Sequence, residues 1–423
     1  MSKPLNDDGA SLLALAEDIL KKTQETVAYL RASNQAEPTF AIGSSLVPET
    51  PEYSALQGSL TESLEALQRL VEGPRKFLRS VCLLGFELIA FQIALEFNFF
   101  TIVEPGKEIS VQELAEKAGL DHDRTRRTVN MLMTHRFFQQ SRPGWIVHSS
   151  SSIILHEDPE IRSAVHFCLD EMLKAAADSN TSLKASPYEY DTDNCPFKTR
   201  HGHSIFEYYT HHPEYAGRFA QAMAGITRMG RNITQLIDSF PWQKLEGTVV
   251  DVGGGSGHVS MELAKLFPRL SFVVQDGSSE MLAEGRRRLD PSIADRVSFT
   301  QHNFFKPQPY RGAAAFLLRQ CAHDWCDRDV VTMLKSIVPA LEGSDPGTPL
   351  LINEIILPEP GTWPRQAERA VRDLDMLMMV GFGSKERTKD EFEVLLREAD
   401  PRYEISSVHS SGPMGLLEVH LKQ

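Results

Sequence analysis

Apolar positions along this chain recur with two different periods. From Ser11 to Ala32, Leu12, Leu15, Ile19, Leu20, Val27 and Leu30 return at helical spacing and predict a helix. Glu37–Tyr53, with Pro38, Pro48 and Pro51, breaks that pattern and reads as a linker. A short amphipathic helix is expected over Ser59–Val71, and a longer, more apolar one from Pro74 to about Phe99. Glu87, Gln92 and Glu96 interrupt the most apolar run, so it reads as a buried or subunit-interface helix and not as a membrane span. Ser110-x-x-Glu113 is a capping box for a helix Val111–Ala118, ended by Gly119. A helix over Asp123–Arg136 and a hairpin turning at Arg142-Pro143-Gly144 follow, a winged-helix pattern. Glu160–Ala177 is helical, Asp178–Thr199 reads as a long polar loop, and Phe206–Tyr209 and Ala216–Met229 are helices.

The period changes near Leu245. Short runs rich in β-branched and other apolar residues now alternate with amphipathic helices. The strands are Thr248–Val252, Leu270–Gln275, Val297–Gln301, Ala313–Leu318 and Leu350–Leu357. Tyr403–Val408 and Leu416–Leu421 close the chain as a hairpin. Strand–helix repeats ending in a hairpin predict an α/β fold: a Rossmann-like doubly wound sheet with an antiparallel C-terminal edge hairpin, preceded by a mainly helical winged-helix domain. The expected divisions are 1–58 for the N-terminal helix and linker, 59–244 for a helical dimerisation and lid domain, and 245–423 for the catalytic domain.

Between the first two strands lie Gly253, Gly254, Gly255 and Gly257, at the carboxyl end where open parallel sheets bind ligands. The loop departs from G-x-G-x-x-G, because the last position is His258. Asp276 closes the second strand, where a carboxylate accepts from both ribose hydroxyls. The helix start at Ser256–His258 suits an anion. The pocket therefore asks for a nucleoside joined to a negative group, which NAD and S-adenosylmethionine both satisfy.

Charge narrows the field. The chain has 423 residues and a net charge of −13, which argues against nucleic acid as a partner despite Arg124, Arg126, Arg127 and Arg136. Five cysteines without C-x-x-C spacing read as free thiols in a reducing, cytoplasmic setting. His323 follows a buried strand at the same sheet edge as the glycines, and Glu354 and Glu386 are carboxylates able to orient it as a general base. No H-x-x-x-H spacing is present, so no metal is expected.

Five motifs stand in order: VVDVGGGSGH at 249–258, FVVQD at 272–276, LLRQCAHDW at 317–325, LLINEIILP at 350–358 and GSKERT at 383–388. With them, from about Lys76 onward, the chain resembles class I S-adenosylmethionine-dependent O-methyltransferases of the caffeate/flavonoid type, in particular the longer fungal enzymes of secondary metabolism. The resemblance implies S-adenosylmethionine held by Gly253, Gly255, Asp276, Asn303, Phe304, Arg319 and Thr227. It implies His323 as base flanked by Glu354 and Glu386, and an intertwined homodimer. Met223 matches a position facing substrate. Phe206, Met229, Met376, Met379 and Phe382 are further candidates for the wall of an apolar acceptor site. Asn303 stands where the family usually has an acid, and Gly277-Ser278 where it often has Leu-Pro. The expected reaction is methylation of a phenolic or enolic hydroxyl of an aromatic or polyketide-type metabolite. The alternative is a pericyclase or dehydratase that binds the cofactor without consuming it.

Overall fold

The computed structural model describes residues 11–229, 233–410 and 414–422. The chain divides into two compact units that interleave in sequence. One comprises 1–174, 212–230 and 360–368, and the other 175–211, 231–359 and 369–423.

The first unit is mainly helical. Leu12–Ala32 is capped by Ser11 and packs along Pro51–Glu96. The second of these helices begins eight residues before the expected Ser59, because Thr50 caps it and Pro51 occupies its first turn, where proline costs nothing. It is interrupted at Gly73 (φ 69°), immediately before Pro74. By length and composition its apolar part could cross a membrane. In the single chain this part is not a buried helix: Leu78, Val81, Leu84 and Phe86 are exposed, and only Ala90, Ala94 and Leu95 are inside. Beyond it, the helices Val111–Ala118 and His122–Thr134 meet a three-stranded sheet of β1 (Ile109–Ser110), β2 (Gln139–Arg142) and β3 (Trp145–Val147), in order β1-β3-β2. Phe99, Phe100, Leu114, Leu132, Phe138 and Ile146 fill the core there.

The second unit is built on a seven-stranded sheet: β4 (Gly247–Val252), β5 (Leu270–Asp276), β6 (Val297–Gln301), β7 (Ala315–Arg319), β8 (Leu350–Ile355), β9 (Tyr403–Ser410) and β10 (Met414–Leu421). The order is β6-β5-β4-β7-β8-β10-β9, with β10 antiparallel to both neighbours and the rest parallel. The central strands β4, β7 and β8 are buried on both faces. Val250, Val252, Phe316, Leu318 and Ile352 face one core, and Val249, Leu317, Leu351 and Leu416 face the other. Alternation therefore fixes which residues at the strand ends share a side. The expected loop over Asp178–Thr199 is a correction. It contains two helices, Ser179–Ala185 and Pro196–His201, leaving only 186–195 irregular. Both are short and polar, so their sequence carries no apolar stripe.

Candidate active site

The glycine loop follows β4 directly. Gly253 has φ 74°, and a Cβ there would stand 2.6 Å from the Cys321 sulfur, so the position admits only glycine. Gly255, at φ 57°, donates its N–H to Asp276 Oδ2 at 2.9 Å, while Ser278 N–H donates to Oδ1 at 2.8 Å. Burial pushes the Asp276 carboxyl up, and the N–H groups of Ser278, Gly255 and Gly277 oppose that. Each carboxylate oxygen accepts a backbone N–H and keeps a lone pair, which is the acceptor set a ribose diol needs. Gly277-Ser278 thus has a local role: its backbone holds the carboxylate still.

Phe304 stands beside the loop, its ring 3.5 Å from where a Gly253 Cβ would be. Asn303 is exposed, and its Oδ1 accepts from Phe305 N–H at 2.9 Å, which turns the chain and leaves the amide NH₂ as the group able to meet a ligand. Arg319, at the end of β7, is buried and donates to Asn353 Oδ1 at 2.6 Å. Its charge also acts on Asp251. Burial pushes that carboxyl up to about 6, while the 2.6 Å bond from Ser260 and the Arg319 charge hold it back. The residues fit a nucleoside whose other end is anionic.

His323 lies on the turn Ala322–Asp324 after β7 and is buried. Its Nδ1 is 2.9 Å from Glu386 Oε1 and 3.8 Å from Glu354 Oε2, and its Nε2 is 3.5 Å from Asp324 Oδ1. The two glutamates differ in role. Glu386 bonds the imidazole. Glu354 Oε1 accepts Cys321 N–H at 2.9 Å and Ala322 N–H at 2.7 Å, so it fixes the turn that carries the histidine. Glu386 is itself steadied by its own N–H, which donates to Asp375 Oδ1 at 2.9 Å. Burial alone would drive the imidazole down. The charges of Glu386, Glu354 and Asp324 outweigh it and push His323 up to about 9.

Two residues without an assigned role from sequence complete the site. Arg387 is 1% exposed and binds the same turn, donating to Ala322 O at 2.9 Å, Trp325 O at 2.8 Å and Asp327 Oδ1 at 2.9 Å. Trp325 sits on the turn's far end. Its ring stacks on Phe206 (centroids 5.8 Å, 17°) and meets Phe305 edge-on at 4.8 Å, and Phe206 lies 5.8 Å from Phe382. Phe206 and Phe382 therefore converge on the histidine turn. Met376 is exposed and Met379 half-buried, both on the helix Arg365–Phe382. Met223 and Met229 belong to the helix Pro213–Arg228 and the turn after it, in the first unit. The side chain of Thr227 lies outside the described residues.

A doubly wound sheet, a glycine loop closed by a strand-end carboxylate and a buried histidine are the features of an enzyme built for a nucleoside cofactor. Residues 181–400 match the O-methyltransferase domain family. The chain is 52% identical over 412 residues to O-methyltransferase sol2 of Alternaria solani, covering 97% of this chain and 96% of that protein. It is 32% identical over 416 residues to the grayanic acid biosynthesis cluster O-methyltransferase of Cladonia grayi, covering 97% and 87%. The crystal structure of OxaC in complex with sinefungin and meleagrin shares the fold, with a TM-score of 0.76 at 21% identity over 96% of this chain and 99% of that one. The chain belongs to the O-methyltransferase family, enzymes that use S-adenosylmethionine.

Proposed function

We propose that this enzyme methylates a phenolic or enolic hydroxyl of an aromatic, polyketide-type secondary metabolite, with His323 receiving the hydroxyl proton. One observation carries the reading. The imidazole bonded to Glu386 at 2.9 Å and the indole stacked on Phe206 belong to a single turn, so a flat acceptor resting on the aromatic wall lies beside the base. Gly253, Gly255, Asp276, Asn303, Phe304 and Arg319 are the residues assigned to the cofactor. When bound, S-adenosylmethionine supplies an electrophilic methyl group and a positive sulfonium charge. The protein's own share is positional and electrostatic. Glu386 takes the Nδ1 proton bond, so Nε2 is the nitrogen that exchanges a proton with the acceptor. At neutral pH His323 is held protonated, and a cation bound close by disfavours that form. Glu386 and Glu354 then stabilise the imidazolium formed in the reaction. Met376 and Met379 complete the assigned acceptor wall with Phe206 and Phe382.

The test is mass spectrometry of the product from the purified enzyme with a panel of phenols and the cofactor. A gain of one methyl group, with S-adenosylhomocysteine released, supports the reading. One observation favours a second reading. A histidine pushed up to about 9 is a proton donor at neutral pH, as a dehydratase requires, and a charged hydrogen-bond donor able to stabilise a pericyclic transition state. A converted substrate with the cofactor unconsumed would establish that alternative.

We assign the exposed apolar face around Leu78, Val81, Leu84 and Phe86 to a second copy of the chain, giving a homodimer. The division into 1–58, a winged-helix part over 59–244 and a cofactor domain over 245–423 belongs to the same reading. So does a cytoplasmic setting, which suits five cysteines without C-x-x-C spacing.

A further inference from the structure

A second group of histidines and a carboxylate stands apart from the active-site turn. Gly202, at φ 81°, ends the helix Pro196–His201 and turns His203 back over the next helix, Ile205–His211. One and two turns further on are Glu207 and His211. His203 Nδ1 lies 3.4 Å from Glu207 Oε2, His211 Nε2 lies 4.0 Å from Glu207 Oε1, and the imidazole centroids are 4.7 Å apart. One ligand atom from each falls within 4.8 Å of the other two. All three side chains are open to solvent, 40 to 55% exposed. Lys198, whose charge is near enough to feel Glu207, is engaged by Asp193.

We propose that His203, Glu207 and His211 form a binding site for a divalent transition ion of the zinc class. Two neutral imidazoles and one carboxylate are a ligand set for such an ion, with a water completing the tetrahedron. Donor atoms bound to one tetrahedral zinc stand about 3.3 Å apart, which the His203–Glu207 pair meets and His211 reaches by a small side-chain rotation. The spacing is H-x₃-E-x₃-H, so a search for two histidines four apart passes over it. The site has a consequence one residue away. Phe206 lies between His203 and Glu207 and stacks on Trp325. Bound metal ties 202–204 to the helix and holds Phe206 on the acceptor wall. This second part rests on the proposed acceptor site; the binding itself does not.

The experiment is calorimetric titration of the chelator-treated full chain with Zn²⁺ alone, without cofactor or acceptor. One equivalent is expected to bind, with affinity falling at least about tenfold in His203→Ala, His211→Ala and Glu207→Gln, and unchanged in His323→Ala. No binding, or binding that survives His203→Ala/His211→Ala, overturns the site. For the wall, chelation is expected to raise acceptor KM about threefold while kcat stays within about twofold. A KM indifferent to Zn²⁺ in a protein shown to bind it overturns the coupling and leaves the methyl-transfer reading untouched.

Discussion

The second unit contains two clusters of histidine and glutamate, one His with two Glu at His323 and two His with one Glu at His203, and burial divides them sharply. Around His323 the imidazole and both glutamates are at most 6% exposed, so charges that water would screen act strongly and raise the imidazole to about 9. Around His203 the same residue types stand in solvent. There an ion is easily admitted. Residue identity is thus a poor guide to chemistry until the local dielectric is known.

The comparison breaks most visibly at His323. His323→Ala is expected to reduce turnover by about a thousandfold while cofactor affinity, read by calorimetry, stays close to wild type. Wild-type turnover in that variant would remove the base assignment. Next is Arg387, whose buried guanidinium ties Ala322, Trp325 and Asp327 together. Arg387→Ala is expected to lower unfolding stability by about 1–3 kcal/mol in denaturant titration, since it leaves the Ala322 and Trp325 carbonyls without their donor while Asp327 keeps Lys385 at 3.2 Å. An Arg402→Ala control on an exposed ion pair with Glu342 is expected to cost at most about 1 kcal/mol. Asp276→Ala is expected to weaken cofactor binding by about ten- to a hundredfold, the cost of charged hydrogen bonds. Unchanged affinity would exclude the ribose role.

A finer test uses pH. The free enzyme's kcat/KM is expected to rise with pH as His323 loses its proton near 9. Glu386→Gln removes the nearest charge that raises the imidazole, so the rising limb is expected to move to lower pH. A limb that stays in place would mean that another group governs it. The same sign applies to stability. The His323 pair contributes fully below the unfolded value of about 6.5, and its contribution is lost as pH rises through about 9. The smallest expected effect is on assembly: Phe86→Glu should shift light scattering from dimer toward monomer with the fold intact, whereas a monomeric wild type would remove the dimer assignment.

Much of the sheet was legible in sequence, because strands buried on both faces read as unbroken apolar runs. Val297–Gln301 is met to the residue, and β4, β5 and β7 differ by at most two residues at either end. Helices with a strong cap were equally plain, as at Thr388-x-x-Glu391, where both reciprocal bonds are present. What failed had no stripe. Ser179–Ala185 and Pro196–His201 are short and polar, and proline at Pro51 starts a helix where it reads as a breaker. At the site, motif order located His323, Glu354 and Glu386, but not that Glu354 serves the backbone of the turn and Glu386 the ring. Arg387 lies inside a recognised motif, yet its three partners are 60 to 65 residues away in sequence, beyond any local signal.

The shared turn has a consequence for how such an enzyme changes over time. Base and indole are separated by one residue, Asp324, and both ends of the segment are pinned by Arg387. On the proposed assignment, a substitution that reshapes the aromatic wall at Trp325 would also displace the His323 imidazole. Room for a different acceptor would then be made at Phe206 and Phe382, which come from separate segments and leave the proposed base alone.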